Sequence, residues 1–452
     1  MSPRSRYLAS LVRSPVTPAA ALVGVHVLLL ASHDLAVDLG FTLGLLGAGF
    51  GALAWAVFGV RRAPLGRAGL LSLAVILRLL LLPLPPTLSD DVLRYVWDGK
   101  VLSAGANPYG LAPQAEQLEG LRDERWRVMP HRDVEAVYPP LALTLFSIAA
   151  RFPRPVLAWK ILVTALELAG CALLASLAAR RGLDMRRVAL YAWNPLVTLE
   201  VAGMGHVDAV GVALVIATVW ALDARRAWAP VAAAGAVLAK LVPLPAIPLW
   251  ARRAPRPARF AVVSAAVVAA GLAPVLWATG GVPPGWIRFG VSWEFNGPLY
   301  EPLWRLVAAL RLDEAVKLGL DRLKLWTDAH ELWNRFYPYV YPRLLAKGML
   351  AALLAWMLWR LWKDRQADAT ATTGRTFAAL VLCSATVYPW YLLWVLPWAA
   401  LARQPAWLAL TGLVLLSYLP QFGEVPLVPW VHAAIWLPFA VLLWRHPTWS
   451  TA

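Results

Sequence analysis

Three carboxylates, Asp90, Asp91 and Asp98, crowd into the stretch Ser89 to Tyr109, which reads Ser-Asp-Asp-Val-Leu-Arg-Tyr-Val-Trp-Asp-Gly-Lys-Val-Leu-Ser-Ala-Gly-Ala-Asn-Pro-Tyr. An apolar run ends just before it, at Leu84, so the acids lie where hydrocarbon gives way to water. Charge beside a bilayer is costly and is kept where it has a task. A carboxylate placed there can take a proton from a hydroxyl, on a substrate with a polar head and a greasy tail. From Asp90 to Ala104 there is no proline, and Gly105 and Asn107-Pro108 then punctuate the chain. Helical periodicity puts Asp91, Arg94, Tyr95 and Asp98 on one face and Val92, Leu93, Val96, Trp97 and Val101 on the other. The pattern predicts an amphipathic helix along the membrane interface, polar face toward a cavity, apolar face toward lipid or the helix bundle. Asp90 falls off the polar face, which favours Asp91 as the working carboxylate. A structural reading stands beside this one: Ser89, Asp90 or Asp91 caps the helix, and Asp98 pairs with Arg94 four residues away.

Other residues invite chemistry more weakly. Lys240 interrupts the apolar run Ala232 to Leu244, where an unpaired lysine costs about 2.5–3.5 kcal/mol or more. It either snorkels to headgroups or meets an anionic substrate group. His206 and Asp208 either hold polar substrate groups or form a local cluster between two short helices. Glu200, inside an apolar helix, reads as a structural acid paired to an arginine or as a functional one. Tyr138 and the turn Tyr388-Pro389-Trp390-Tyr391 offer faces for a ring or an isoprene, or simply belong to the interfacial belt. Trp293 to Gly297 add possible acceptor contacts without a spacing argument. Seven histidines without a close triad give no zinc site. No metal or other cofactor is expected, although an acidic pair can hold a divalent cation.

The elements that must position these groups are membrane helices. The 452 residues are 60% hydrophobic and 15% charged, against about 25% charged in soluble domains, and the mean hydropathy is +0.59. Apolar blocks without barrel-like alternation must be helices, because lipid leaves no other partner for the backbone. The net charge of +16 does not mean nucleic acid. Its arginines fall in short loops (Arg61-Arg62, Arg180-Arg181, Arg186-Arg187, Arg225-Arg226, Arg252-Arg253), as on the cytosolic side of a membrane protein. Cys171 and Cys383 both lie in apolar runs and imply no disulfide framework. From a cytosolic tail carrying Arg4, Arg6 and Arg13, the pattern predicts an uncleaved first helix and about twelve crossings in one domain, 1–452. Two long outer loops, 85–137 and 280–337, are expected, with 138–152 re-entrant or interfacial and 228–250 dipping in and returning near Lys240.

The stretch 89–109 resembles the signature of bacterial membrane glycosyltransferases of the GT-C class, most nearly the polyprenol-phosphate-mannose-dependent mannosyltransferases of the family 87 type. Further matches follow in order: Tyr138-Pro139-Pro140-Leu141, Trp193-Asn194-Pro195-Leu196 with Glu200, Gly205-His206 with Asp208-Ala209, Lys240-Leu241 with Pro243, and Tyr388 to Leu392. The resemblance implies an all-α, GT-C-type bundle in the bacterial inner membrane, working on its outer face. It implies transfer of a hexose, mannose or a similar sugar, from a polyprenyl-phosphate donor to a glycolipid or surface-glycan acceptor, with an aspartate of the first outer loop as base. Asp91 and Asp90 are both candidates, since the pattern here has two adjacent acids where some relatives show one or an Asp-x-Asp. Arg94, Lys240 and His206 would face the donor phosphate. Tyr95, Asp98, Tyr138, Asp208, Tyr388 and Trp390 would contact substrate. Glucose, arabinose or aminoarabinose are alternative sugars. A lipid-linked sugar flippase would instead place its acids at the midplane of paired halves, and no second copy of the 89–109 motif exists.

Overall fold

The computed structural model describes residues 16–60, 65–422, 429–447 and 449. The basic tail with Arg4, Arg6 and Arg13 and the pair Arg61-Arg62 lie outside them. Prolines set the elements out. Pro140, Pro155, Pro257, Pro342 and Pro405 each open a helix, at the position where a missing N–H costs nothing. Among the described residues the fold is helical, and extended pairing is limited to isolated bridges from Phe295 and Asn296 to Thr386.

The chain is an all-helical, multi-pass membrane protein. Among the described residues five helices are long and apolar enough to cross a bilayer: Leu39–Gly59, Pro155–Arg180, Pro257–Ala278, Pro342–Lys363 and Pro405–Phe422. A sixth crossing arises if Pro195–Gly203 and Asp208–Asp223, bent by 120° at a short break, count as one broken span. The expected count of about twelve is not confirmed among the described residues. Pro140–Ala150 and Ala229–Ala239 are apolar but have 11 residues each, and such helices reach only about half of a ~30 Å hydrocarbon core. Periodicity cannot tell a short buried helix from a truncated span. The two expected outer loops contain helices of their own, Asp91–Ser103 and Glu124–Val128 in the first and Pro284–Ser292, Tyr300–Ala309 and Leu312–Thr327 in the second.

Pro155–Arg180 runs through the middle of the packing. It lies against Asp208–Asp223, where Gly170 would bring a Cβ within 3.2 Å of the Ala213 backbone. It also holds a buried ion pair. Arg78, on the helix Arg67–Leu81, donates to Glu167 at 2.6 and 2.8 Å and to the Ala192 carbonyl at 2.7 Å. One guanidinium thus ties three segments together away from water. Lys160, a turn inside the same long helix, donates to the Leu84 carbonyl at 2.5 Å, which fixes the chain just before the acidic stretch.

The helix predicted from Asp90 to Ala104 forms as Asp91–Ser103. Of the two expected partners for its apolar face, lipid or the helix bundle, protein provides the cover. Trp97 and Val101 are covered by Leu118 and Met129 from their own loop, while Val92 and Tyr95 join the main core. On the other side Gly99 lies so close to Pro140–Ala150 that a Cβ there would stand 2.4 Å from the Phe146 carbonyl carbon. The helix is clamped by protein on both sides, because the following loop folds back and supplies apolar cover beside the bundle.

Candidate active site

A cavity of about 330 Å³ opens where the start of Asp91–Ser103, the loop 130–139, the turn after Ala239, Trp286 to Trp293, and Tyr388 to Tyr391 converge. Of the residues singled out in the sequence, Asp90, Asp91, Arg94, Tyr138, Lys240, Tyr388 and Trp390 line it. Tyr95, Asp98, His206 and Asp208 stand behind these, buried in its wall.

The two acids differ in setting. Asp91 opens the helix, where the positive end of the macrodipole favours a carboxylate. It accepts from the Tyr95 hydroxyl at 3.4 Å, and its own N–H donates to Ser89 Oγ at 3.4 Å. Tyr95 is held by stacking on Phe146 at 4.7 Å between centroids and by the edges of Tyr138 and Trp159. Asp90 caps only through its backbone carbonyl, which accepts from Leu93 at 2.9 Å. Its side chain makes no capping bond, so the reading of Asp90 as a side-chain cap is corrected. That carboxylate lies exposed at the rim, yet surrounding protein and then the neighbouring Asp91 push its pKa up.

Arg94 and Asp98 pair at 3.4 Å, as the i,i+4 spacing suggested. Arg94 also donates to the His131 carbonyl at 2.5 Å and the Val134 carbonyl at 2.9 Å. It therefore latches the 131–134 loop onto the helix while lining the cavity. Asp98 is 2% exposed, and burial raises its pKa while Arg94 pulls the other way. It has no face on the cavity.

Lys240 does not snorkel outward. Ala229–Ala239 ends there in an extended residue, and the ammonium lies 2.8 Å from both oxygens of Asp208 and 4.8 Å above the Tyr391 ring. Asp208 further accepts from Trp394 Nε1 at 2.6 Å. Gly211, one turn on, leaves the space that the Trp394 ring fills, since a Cβ there would come within 2.3 Å of it.

The bend between Pro195–Gly203 and Asp208–Asp223 holds His206, after Gly205 with φ +80°, a conformation only glycine takes freely. His206 Nε2 lies 3.1 Å from Ser89 Oγ, and Nδ1 faces the Glu200 carbonyl at 3.3 Å and its carboxylate at 3.1 Å. Tyr418 donates to the other Glu200 oxygen at 2.6 Å. The expected arginine partner of Glu200 is thus replaced by a histidine and a tyrosine, and it is Glu167 that holds the buried arginine. The His206 ring stacks on Trp390 at 3.8 Å, Trp390 on Tyr388 at 4.5 Å, and Tyr388 on Phe295 at 4.7 Å. Four rings form one column along the cavity, and burial pushes the Tyr388 hydroxyl up to about 12. The Phe295 segment is fixed in register by backbone bonds to Ala385 and Val387 at 3.0 and 2.7 Å.

Sequence reasoning read Ser89 only as a cap and missed His131, Trp286 and Gln421, all on the cavity. Trp286 Nε1 and Gln421 Oε1 are buried without a protein partner, which suits groups waiting for polar substrate atoms. Nothing local marks them. Among the described residues no group of three or more metal-ligating side chains forms.

Three family models match the chain. They are Alpha-(1->6)-mannopyranosyltransferase, N-terminal domain, over residues 7–254, Glycosyltransferase family 87 over 136–385, and MptB C-terminal domain over 339–446. No curated protein and no solved structure matches it.

Proposed function

This chain belongs to the alpha-(1->6)-mannopyranosyltransferase family, and from that premise we propose the reaction its cavity performs. It is a membrane glycosyltransferase with a sugar donor and a glycan acceptor. The donor in this reading is mannose on a polyprenyl phosphate, and the acceptor is a hydroxyl of a glycolipid or surface glycan. The reaction takes place at the outer face of a bacterial inner membrane, where nucleotide sugars are absent. The observation that carries the reading is the convergence of the Asp90–Asp91 pair, Lys240 and the aromatic column on one cavity beside membrane helices.

The Asp91 carboxylate accepts the proton of the acceptor hydroxyl as that oxygen attacks the anomeric carbon. The bond from that carbon to the phosphate oxygen breaks, and its electron pair leaves with the lipid phosphate. One displacement without a covalent enzyme intermediate inverts the anomeric centre. Tyr95 orients the Asp91 carboxylate through its hydroxyl. Lys240 exchanges one of its two bonds to Asp208 for the departing phosphate, where charge grows in the transition state, and Trp394 keeps Asp208 satisfied. Arg94 shapes the wall by holding the 131–134 loop and adds its positive charge nearby. Tyr138, Tyr388 and Trp390 present ring faces to the sugar or the first isoprene units.

The test supplies membranes containing the protein with labelled polyprenyl-phosphate-mannose and compares wild type with Asp91→Asn and Asp90→Asn. Product should vanish in the Asp91 variant and fall in the Asp90 variant. Undiminished transfer by both would overturn the base assignment, and transfer from a glucose donor alone would overturn the choice of sugar.

A further inference from the structure

Away from the catalytic cavity, a second cavity of about 340 Å³ is lined by Arg225, Arg226, Arg256 and Arg259 together with Pro230 and Phe260. The helix Ala229–Ala239 has Arg225 and Arg226 before its first residue and Lys240 after its last, so the two cavities lie at opposite ends of it. Other arginines find carboxylates: Arg180 and Arg181 of a basic loop hold Asp223 at 2.9 Å each, and Arg375, on the helix Ala369–Leu382, holds Asp364 at 2.8 Å. The four cavity arginines have no carboxylate partner among the described residues, and no acid lines the cavity. Asp223, the acid nearest in sequence, is already held by the other pair.

The placement of these charges is unfavourable as it stands. Arg256 and Arg259 flank the first turn of Pro257–Ala278, and Arg225 and Arg226 precede the first turn of Ala229–Ala239. Both ends carry the positive pole of a helix dipole, which opposes cations and attracts anions. Two helix N-termini and four guanidinium groups therefore converge on one space with nothing negative in it. The surroundings are apolar and open: Val231 and Val262 are 50% and 67% exposed, and Trp228, also exposed, stacks on Trp220 at 5.9 Å. Exposed valines on membrane helices face acyl chains, and a tryptophan beside them marks headgroup level.

We propose that this cavity binds the phosphate headgroup of an anionic membrane lipid, whose chains lie along Val231 and Val262. Basic pockets between membrane helices take such headgroups because bidentate guanidinium bonds match phosphate oxygens. The exposed apolar flank selects a lipid over a free phosphate. The inference is independent of the transfer chemistry.

Native mass spectrometry of the purified full chain tests it, since only folded particles with and without bound lipid are counted. Phosphatidylglycerol and phosphatidylcholine of identical chains are added in turn, with and without inorganic phosphate. Wild type should retain phosphatidylglycerol roughly tenfold better or more, and inorganic phosphate should not displace it. The double variant Arg225→Gln/Arg256→Gln should lose that preference, while Arg365→Gln, an exposed arginine outside the cavity, should keep it. Equal retention of both lipids, an unchanged double variant, an equal loss in Arg365→Gln, or displacement by inorganic phosphate would each overturn the proposal.

Discussion

At the start of the Asp91–Ser103 helix, Asp91 accepts from Tyr95, while the Asp90 carboxylate hangs over the rim with a raised pKa. Replacing a general base by its amide removes about 10²–10⁴-fold of rate. Asp91→Asn should therefore lower initial transfer rates by at least about a hundredfold. Asp90→Asn should act through pH as well. The folded chain holds the Asp90 proton more tightly than the unfolded chain. This contribution to stability is therefore complete below the ordinary aspartate range and is lost as pH rises through the raised value. Melting midpoints of wild type should fall across that window, and those of Asp90→Asn should fall less. Parallel curves would count against the assignment. Part of this site was readable from spacing: the Arg94–Asp98 pair lies one turn apart on one helix, so the sequence itself sets its distance. The Lys240–Asp208 pair was not, because its partners lie on two helices whose approach no local pattern encodes.

Gly99 decides how one element meets another. The Asp91–Ser103 helix was predicted from its proline-free, punctuated sequence, and its ends came out within a residue. What covers it was not legible, since Trp97 and Val101 meet Leu118 and Met129 only after the loop folds back. Gly99→Ala would press a methyl into the Phe146 backbone, which cannot move aside as a side chain can. Overpacking of this kind costs about 1–3 kcal/mol. The variant should melt lower in detergent and lose transfer activity as well, because the same helix carries Asp91. At Gly211, alanine should push Trp394 off Asp208 and raise the KM for donor more than it lowers thermal stability.

Across the whole molecule, the Arg78–Glu167 pair joins three segments in the interior. Removing one partner of such a pair strands the other, at about 3–5 kcal/mol. Glu167→Leu should be severely destabilised, and the double variant Arg78→Leu/Glu167→Leu should recover much of the loss in a thermal or denaturant melt. A double variant no better than the single one would assign the pair a role beyond charge balance.

The sequence by itself determined that the chain lives in a membrane, that it is helical, and that an acidic helix begins just past an apolar run. Composition, proline placement and helical periodicity are local properties, and they carry that far. Tertiary structure decided how long each apolar helix runs and where it breaks, for a bend of 120° or an 11-residue helix reads like any other apolar segment. It also decided which charges answer which. His206 meets Ser89 across 117 residues and Lys240 meets Asp208 across 32. Only the packed bundle, where desolvation makes an unanswered charge untenable, selects those partners.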